Sequence, residues 1–134
     1  MTHWLKPFGH PRLWLGVWML AIAVVIVLSL TPPAPLPPLP SGTDKLEHAL
    51  AYAALAFGAV QLFRDRVVCL SMGAVLVLLG IGLEFAQGAY TTDRMQDPFD
   101  ALANTVGVII GLSARATPLR DWLLRRDGRI PGAR

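Results

Sequence analysis

The chain has 134 residues, of which 54% are hydrophobic and only 16% are charged, and its formal net charge is +3. A soluble domain usually carries about 25% charged residues, so the composition indicates a protein that lies in a lipid bilayer. The length leaves room for a single domain, residues 1–134. The small positive charge is explained by cations that collect on one side of the membrane, which argues against nucleic-acid binding. The single cysteine, Cys69, cannot form an intramolecular disulfide.

Four apolar stretches are candidates to cross a bilayer as helices, a task that needs about 20 residues. The predicted spans are residues 13–31, 46–63, 67–88 and 98–114. The first could instead be a cleaved signal peptide, but it exceeds the usual apolar length of roughly 7–15 residues, and a proline-rich segment follows it. We therefore predict an all-α, polytopic membrane protein with four transmembrane helices in a compact bundle.

The distribution of lysine and arginine predicts the orientation of these spans. Ten of the 12 cations flank one side of the predicted bundle, and Lys45 and Arg94 flank the other. The ten are Lys6, Arg12, Arg64, Arg66, Arg115, Arg120, Arg125, Arg126, Arg129 and Arg134. Because positive residues are enriched in cytoplasmic loops, we expect both termini in the cytoplasm.

The connections and the tail have distinct characters. Residues 31–41 are rich in proline and predict a stiff, extended outer loop. The tail, residues 117–134, is predicted to begin a short interfacial helix at Thr117-Pro118. Leu119, Trp122 and Leu123 share one face of that helix, and arginines surround them, which suits anionic lipids. A solvated tail is the alternative.

Polar side chains collect at the outer ends of the second, third and fourth spans, within about two helical turns of one membrane face. They are Asp44, Lys45, His48, Tyr52, Glu84, Gln87, Arg94, Asp97, Asp100 and Asn104. Spacings of three and four residues place most members of each span on one helix face. Ionisable groups in a bilayer normally face the bundle interior, so the pattern predicts a polar pocket open to the outside.

These residue types suggest roles within the pocket. His48, Glu84 and Asp100 are the catalytic candidates, with His48 as general base or acid and a carboxylate to orient it. The other seven are candidates for substrate binding, and among them Lys45 and Arg94 could hold a phosphate or carboxylate. The alternative is a hydrogen-bond cluster that only holds the helices together.

Some of these residues also fit purely structural roles. Asp97-Pro98 followed by Asp100 is typical of a helix start, and Asp44-x-x-Glu47 resembles a capping arrangement. Lys45 could simply extend its side chain to the interface.

A metal or cofactor is not indicated by any recognised spacing, and we predict none. His48, Glu84, Asp97 and Asp100 could offer one nitrogen and several oxygens to a divalent ion, which is the less favoured interpretation.

Small residues four apart occur on two spans. Gly107-x-x-x-Gly111 and Ala54-x-x-x-Gly58 permit close helix approach, either within one chain or across a homo-oligomer.

Four motifs occur in a fixed order from about residue 13 to residue 111. They are Ser29-x-Thr31-Pro32, Asp44-Lys45-x-x-His48-x-x-x-Tyr52, Glu84-x-x-Gln87, and Arg94-x-x-Asp97-x-x-Asp100-x-x-x-Asn104-x-x-Gly107-x-x-x-Gly111. Together they resemble the VanZ-like family of bacterial membrane proteins, whose founding member is linked to teicoplanin resistance. The resemblance implies a multi-pass protein of the bacterial cytoplasmic (inner) membrane that is concerned with the cell envelope.

Three functions are compatible with these features. The first is a site at the outer face that binds or processes an amphiphilic envelope molecule: a lipid-linked precursor, a phospholipid or a lipoglycopeptide. Its partners would be membrane lipids, and a contribution to glycopeptide tolerance would follow. The second is a small proton-coupled transporter or channel, because buried acids and histidine mark proton paths. The third is a non-enzymatic membrane scaffold that acts through its basic tail. The sequence leaves open whether any reaction is catalysed.

Overall fold

The computed structural model describes residues 3–31, 42–90 and 97–127, and the elements within them are helical. The main helices are α1 (Pro11–Leu30), α2 (Thr43–Leu62), α3 (Arg66–Tyr90) and α4 (Pro98–Ser113). Two 3₁₀ turns follow (Ala114–Ala116 and Pro118–Asp121), and a short α5 (Trp122–Arg126) ends the described chain. The predicted all-α class is therefore confirmed. The proline-rich segment, the connection that carries Arg94, and the end of the tail lie outside the described residues.

Two helices of the described chain, α1 and α3, are each long and apolar enough to cross a membrane. A third candidate arises if Pro98–Ala116 and Pro118–Arg126, which meet at a bend of 84°, are counted as one broken span. The helix α2 has 20 residues, but the polar residues of its first turns lower its hydropathy. The helix α4 has only 16 residues. These features suggest a membrane protein.

The helices α2 and α4 approach each other closely because glycines of α4 face the backbone of α2. A Cβ added at Gly107 would lie 2.2 Å from the carbonyl oxygen of Ala49, and one added at Gly111 would lie 2.3 Å from that of Ala53. Only a residue without a side chain permits this distance. The glycine pair of α4 therefore packs within one chain.

The helix α1 contacts α2 through Trp18. Its indole Nε1 donates a hydrogen bond to the Leu55 carbonyl (2.9 Å), and a Cβ at Gly58 would meet the indole ring at 2.6 Å. Most other large side chains of α1 are exposed, including Leu20 (64%) and Leu28 (63%). That apolar surface is suited to contact with lipid.

The N-terminal segment docks beside the turn between α2 and α3, which the sequence analysis did not predict. Backbone hydrogen bonds join Lys6 to Leu62 (2.9 Å) and Arg64 to Trp4 (2.9 Å). The buried Lys6 ammonium donates to the carbonyl of Val60 and forms an ion pair with Asp121 (2.9 Å). Burial lowers the pKa of Lys6, although Asp121 opposes that effect.

The tail begins as predicted and then folds back against α2. The Thr117 hydroxyl accepts from the amide of Leu119 (3.2 Å), and Pro118 occupies the first helical position. The buried Gln61 side chain donates to the Leu119 carbonyl (2.9 Å) and accepts from the amide of Leu123 (2.9 Å). Trp122 stays 42% exposed. Of the predicted apolar face, only Leu123 packs against the core, while Leu119 and Trp122 are exposed.

Candidate functional site

The starts of α2 and α4 lie side by side at one end of the molecule, and their caps differ. At α4, Asp97 Oδ1 accepts from the amide of Phe99 (2.8 Å) and Pro98 follows, which confirms the predicted helix start. At α2, the N-cap is Gly42 with a φ of 88°, and this residue offers no side chain to cap the helix. The predicted Asp44–Glu47 capping arrangement is therefore wrong, because the helix begins at Thr43 and already includes Asp44.

Lys45 joins these two helix starts. Its Nζ lies 2.7 Å from Asp97 Oδ2, 3.1 Å from Asp100 Oδ1 and 3.4 Å from Asp44 Oδ2. The lysine hydrogen bond holds the pKa of Asp97 below its ordinary value. Lys45 therefore has a specific electrostatic role, and an incoming anion would have to compete with these carboxylates for it. Asp44 itself is 58% exposed.

His48 and Asn104 form the hydrogen bond at the centre of the cluster. His48 Nδ1 lies 3.0 Å from Asn104 Oδ1, and Asn104 is only 2% exposed. The amide oxygen can only accept, so Nδ1 carries a proton in this arrangement. The other ring nitrogen, Nε2, lies 3.8 Å from Asp100 Oδ2. The imidazole is thus oriented with Nε2 toward a carboxylate.

Glu84 reaches the same place from α3. Its side chain is 3% exposed, and the amide of Asp97 lies 3.5 Å from its Oε2. No lysine or arginine of the described ranges forms an ion pair with it. One ligand atom from each of His48, Glu84 and Asp100 lies within 4.8 Å of the other two. Three helices therefore contribute one ionisable group each to a common point.

Tyr52 lies one turn deeper than His48 and is 2% exposed. Its ring packs between helices, since a Cβ at Gly80 would lie 3.2 Å from Tyr52 Cε1 and 3.1 Å from the Asn104 side chain. Its hydroxyl is buried and has no hydrogen-bond partner within the described part of the chain, and it interacts electrostatically with Glu84. A buried hydroxyl without a partner is unfavourable, so this one is available to a bound group.

Gln87, predicted as a binding residue, is directed toward α1. Its Nε2 donates to the Ser29 carbonyl (2.8 Å) and so ties the end of α3 to the end of α1. Of the ten predicted site residues, the structure brings seven together at one end of the molecule, with Asp44 at the rim, Gln87 at the α1 contact and Arg94 outside the described residues. The seven are Lys45, His48, Tyr52, Glu84, Asp97, Asp100 and Asn104.

A cavity of about 170 Å³ opens between α1 and α2 beside this cluster. Val25, Leu28 and Ala51 form its apolar side, whereas polar atoms come from Ser29, Glu47, His48 and Tyr52. The cavity therefore links the polar cluster to the flank of α1.

A second polar region at the opposite end was not predicted as a site. A cavity of about 430 Å³ is lined by Lys6, Arg64, Arg115, Arg120 and Asp121, among others. In the sequence, these cations predict only the orientation of the spans. Their common position at the ends of separate helices was the signal that could have revealed the cavity.

No family model, curated protein or solved structure matches the chain. The VanZ-like resemblance therefore depends on the motifs in the sequence alone.

Proposed function

We propose that this chain is a VanZ-like protein of the bacterial inner membrane that crosses the bilayer four times with both termini in the cytoplasm. Its polar cluster lies at the extracytoplasmic face, where it binds or processes an amphiphilic envelope molecule.

The packing of α2 and α4 supports the four-span topology. The two helices contact each other closely at Gly107 and Gly111, which supports a side-by-side crossing of the bilayer. In the first turns of α2, Lys45 and His48 face α4. Helices that bury their polar groups against one another need less apolar surface of their own.

The charge distribution supports the orientation. The cationic cavity around Lys6, Arg64 and Arg115 lies at the opposite end from the acids Glu84, Asp97 and Asp100. Positive residues favour the cytoplasmic side, so the acidic end faces outward.

The observation that carries the proposed function is the cavity between α1 and α2. It has an apolar side (Val25, Leu28 and Ala51) and a polar side that includes His48 and Tyr52. An amphiphile has the same division: an acyl or prenyl chain fits the apolar wall, while its head group contacts the polar cluster. Sites for small ligands typically combine an apolar lining with a few convergent polar groups.

The cluster also has the groups needed to process such a molecule. His48 Nε2 lies 3.8 Å from the Asp100 carboxylate, and such a histidine–carboxylate pair can act as a general acid or base when no metal occupies it. A proton path across the bilayer has less support, because the buried Gln61 of the inner half is used to hold the tail.

Native mass spectrometry in mild detergent tests the proposal. We expect the wild-type protein to retain a defined lipid or lipid-linked precursor, and a variant with His48→Ala and Glu84→Ala to lose it. His10→Ala, at an exposed histidine far from the cluster, is the control. Loss of helical stability in the double variant, with no specific lipid on the wild type, would instead identify the cluster as architectural.

Teicoplanin susceptibility provides a cellular measurement. We expect expression in a susceptible bacterium to raise tolerance, and His48→Ala to abolish the effect at equal expression. Equal tolerance for wild type and His48→Ala would contradict a role of this site in resistance.

A further inference from the structure

Among the described residues, the acidic groups of the cluster outnumber the cations beside them, and one of these acids, Glu84, is buried. Glu84, Asp97 and Asp100 supply three carboxylates, and Lys45 is paired with the two aspartates. Glu84 is 3% exposed and has no ion-pair partner among the described residues. A buried carboxylate without a counter-charge is costly. A divalent cation beside Glu84 would supply that counter-charge.

The arrangement around His48 is the one that metal-binding histidines commonly have. Asn104 Oδ1 accepts from Nδ1 at 3.0 Å, which fixes the tautomer and leaves Nε2 directed toward Asp100. Outer hydrogen bonds of this kind orient the ring and strengthen it as a ligand. The Asn104 partner of this bond is buried, with 2% exposure.

Tyr52 provides an independent observation. Its hydroxyl is buried without a hydrogen-bond partner in the described ranges, and side chains on a helix lean toward the N-terminus, here toward the turn of His48. Its ring lies beside Gly80, where an added Cβ would be 3.2 Å from Tyr52 Cε1, and Gly80 is one turn before Glu84 on α3. A donor in this position can bond to a group held at the cluster.

We propose that His48 Nε2, Glu84 and Asp100 bind one divalent transition-metal ion of the zinc type, which in turn binds the phosphate or carboxylate of the head group. The inference rests on the proposed function for the identity of that head group, whereas metal binding itself can be measured separately. Nitrogen and carboxylate ligands suit zinc, and three protein ligands leave the fourth position open.

The distances are compatible with this site after small side-chain movements. Bonds of about 2.0–2.2 Å in a tetrahedron hold ligand atoms roughly 3.3–3.6 Å apart. The ligand atoms of His48 and Asp100 are 3.8 Å apart, and those of all three residues lie within 4.8 Å of one another. Asp100 Oδ1 can keep its bond to Lys45 while Oδ2 contacts the metal.

Metal binding is tested by removing metal from the purified protein with a chelator, titrating Zn²⁺, and measuring bound zinc by elemental analysis. We expect about one equivalent on the wild type, and at least tenfold weaker binding for His48→Ala, Glu84→Gln and Asp100→Asn. The matched control His10→Ala removes an exposed histidine far from the cluster, and it should bind zinc as the wild type does.

Asn104→Ala tests the orienting hydrogen bond, and we expect a 10- to 100-fold weaker affinity. Circular dichroism checks that each variant keeps its helices, and Zn²⁺ should raise the melting temperature of the wild type but not of Glu84→Gln. Substoichiometric zinc on the wild type, or unchanged zinc affinity in both Glu84→Gln and Asp100→Asn, would overturn the inference.

Native mass spectrometry of the metal-free protein separates this inference from the proposed function. Lipid retained by a wild type that binds no zinc would refute the metal site and support the lipid site. Zinc bound stoichiometrically without any specific lipid would support the metal site and refute the lipid site.

Discussion

The close contact between α2 and α4 predicts that Gly107→Ala is destabilising. The new Cβ would lie 2.2 Å from the oxygen, 2.9 Å from the carbon and 3.0 Å from the Cα of Ala49. These are backbone atoms that cannot rotate away, so α4 must move outward by about 1 Å in a closely packed interior. Overpacking of this kind costs about 1–3 kcal/mol.

The same movement should disrupt the polar cluster. Gly107 lies one turn from Asn104, and Ala49 is adjacent to His48. An outward shift of about 1 Å would lengthen the 3.0 Å contact between His48 and Asn104 beyond hydrogen-bonding distance. Gly107→Ala is therefore expected to weaken ligand binding as well as stability.

Unfolding in mixed detergent with increasing SDS, followed by circular dichroism, measures the change. The control is Gly82→Ala on α3, where an added Cβ meets nothing within 4 Å and the better helix propensity of alanine favours folding by up to about 1 kcal/mol. If Gly107→Ala were as stable as Gly82→Ala, the close approach of α2 and α4 would be refuted.

Three other perturbations follow from the contacts of single side chains. Gln61→Leu removes both hydrogen bonds that hold the tail, and proteolysis or hydrogen exchange should show the tail released, with a cost of about 1–3 kcal/mol. The pKa of Asp97 is held below its ordinary 3.8 by Lys45, so its stabilising contribution is complete above that value and is lost as the pH falls through the lowered pKa. Melting temperatures between about pH 2 and 6 should therefore fall less steeply on the acid side for Asp97→Asn than for wild type, and identical profiles would contradict the ion pair. Tyr52→Phe removes a hydroxyl without a partner among the described residues. The ligand-free variant should therefore be as stable as wild type or more stable, and it should bind ligand more weakly. A large loss of stability without ligand would show that the hydroxyl is bonded.

The helical class and the end at which polar residues meet were predictable because both follow from local patterns. Spacings of three and four placed His48 on one face of its helix, and Glu84 and Asn104 on theirs. The rule that ionisable groups avoid lipid then required these faces to meet. The cap at Asp97 was equally local, because an acid followed by proline signals a helix start.

Contacts between distant segments were not predictable from such patterns. From the sequence, Lys6 was only one of the cations that indicate membrane orientation. In the structure it inserts between the end of α2 and the tail, because carbonyl groups there accept its hydrogen bonds and Asp121 supplies a counter-charge. Gln61 was a lone polar residue in an apolar run, and only the fold shows that its two amide atoms match an acceptor and a donor of the tail. Gln87 has the right spacing to join Glu84, yet it faces the end of α1 instead.

The position of the cluster follows from the same glycines that let the helices approach. With Gly107 against Ala49, the α2 and α4 backbones are close enough that short side chains such as Asn104 and Asp100 reach His48 directly. A wider separation would need longer side chains, which lose more conformational entropy when they are fixed. The close approach thus stabilises the bundle and also preorients the imidazole. For that reason a change at Gly107 should lower both stability and ligand binding. A change at Glu84 should instead affect ligand binding without a matching loss of stability.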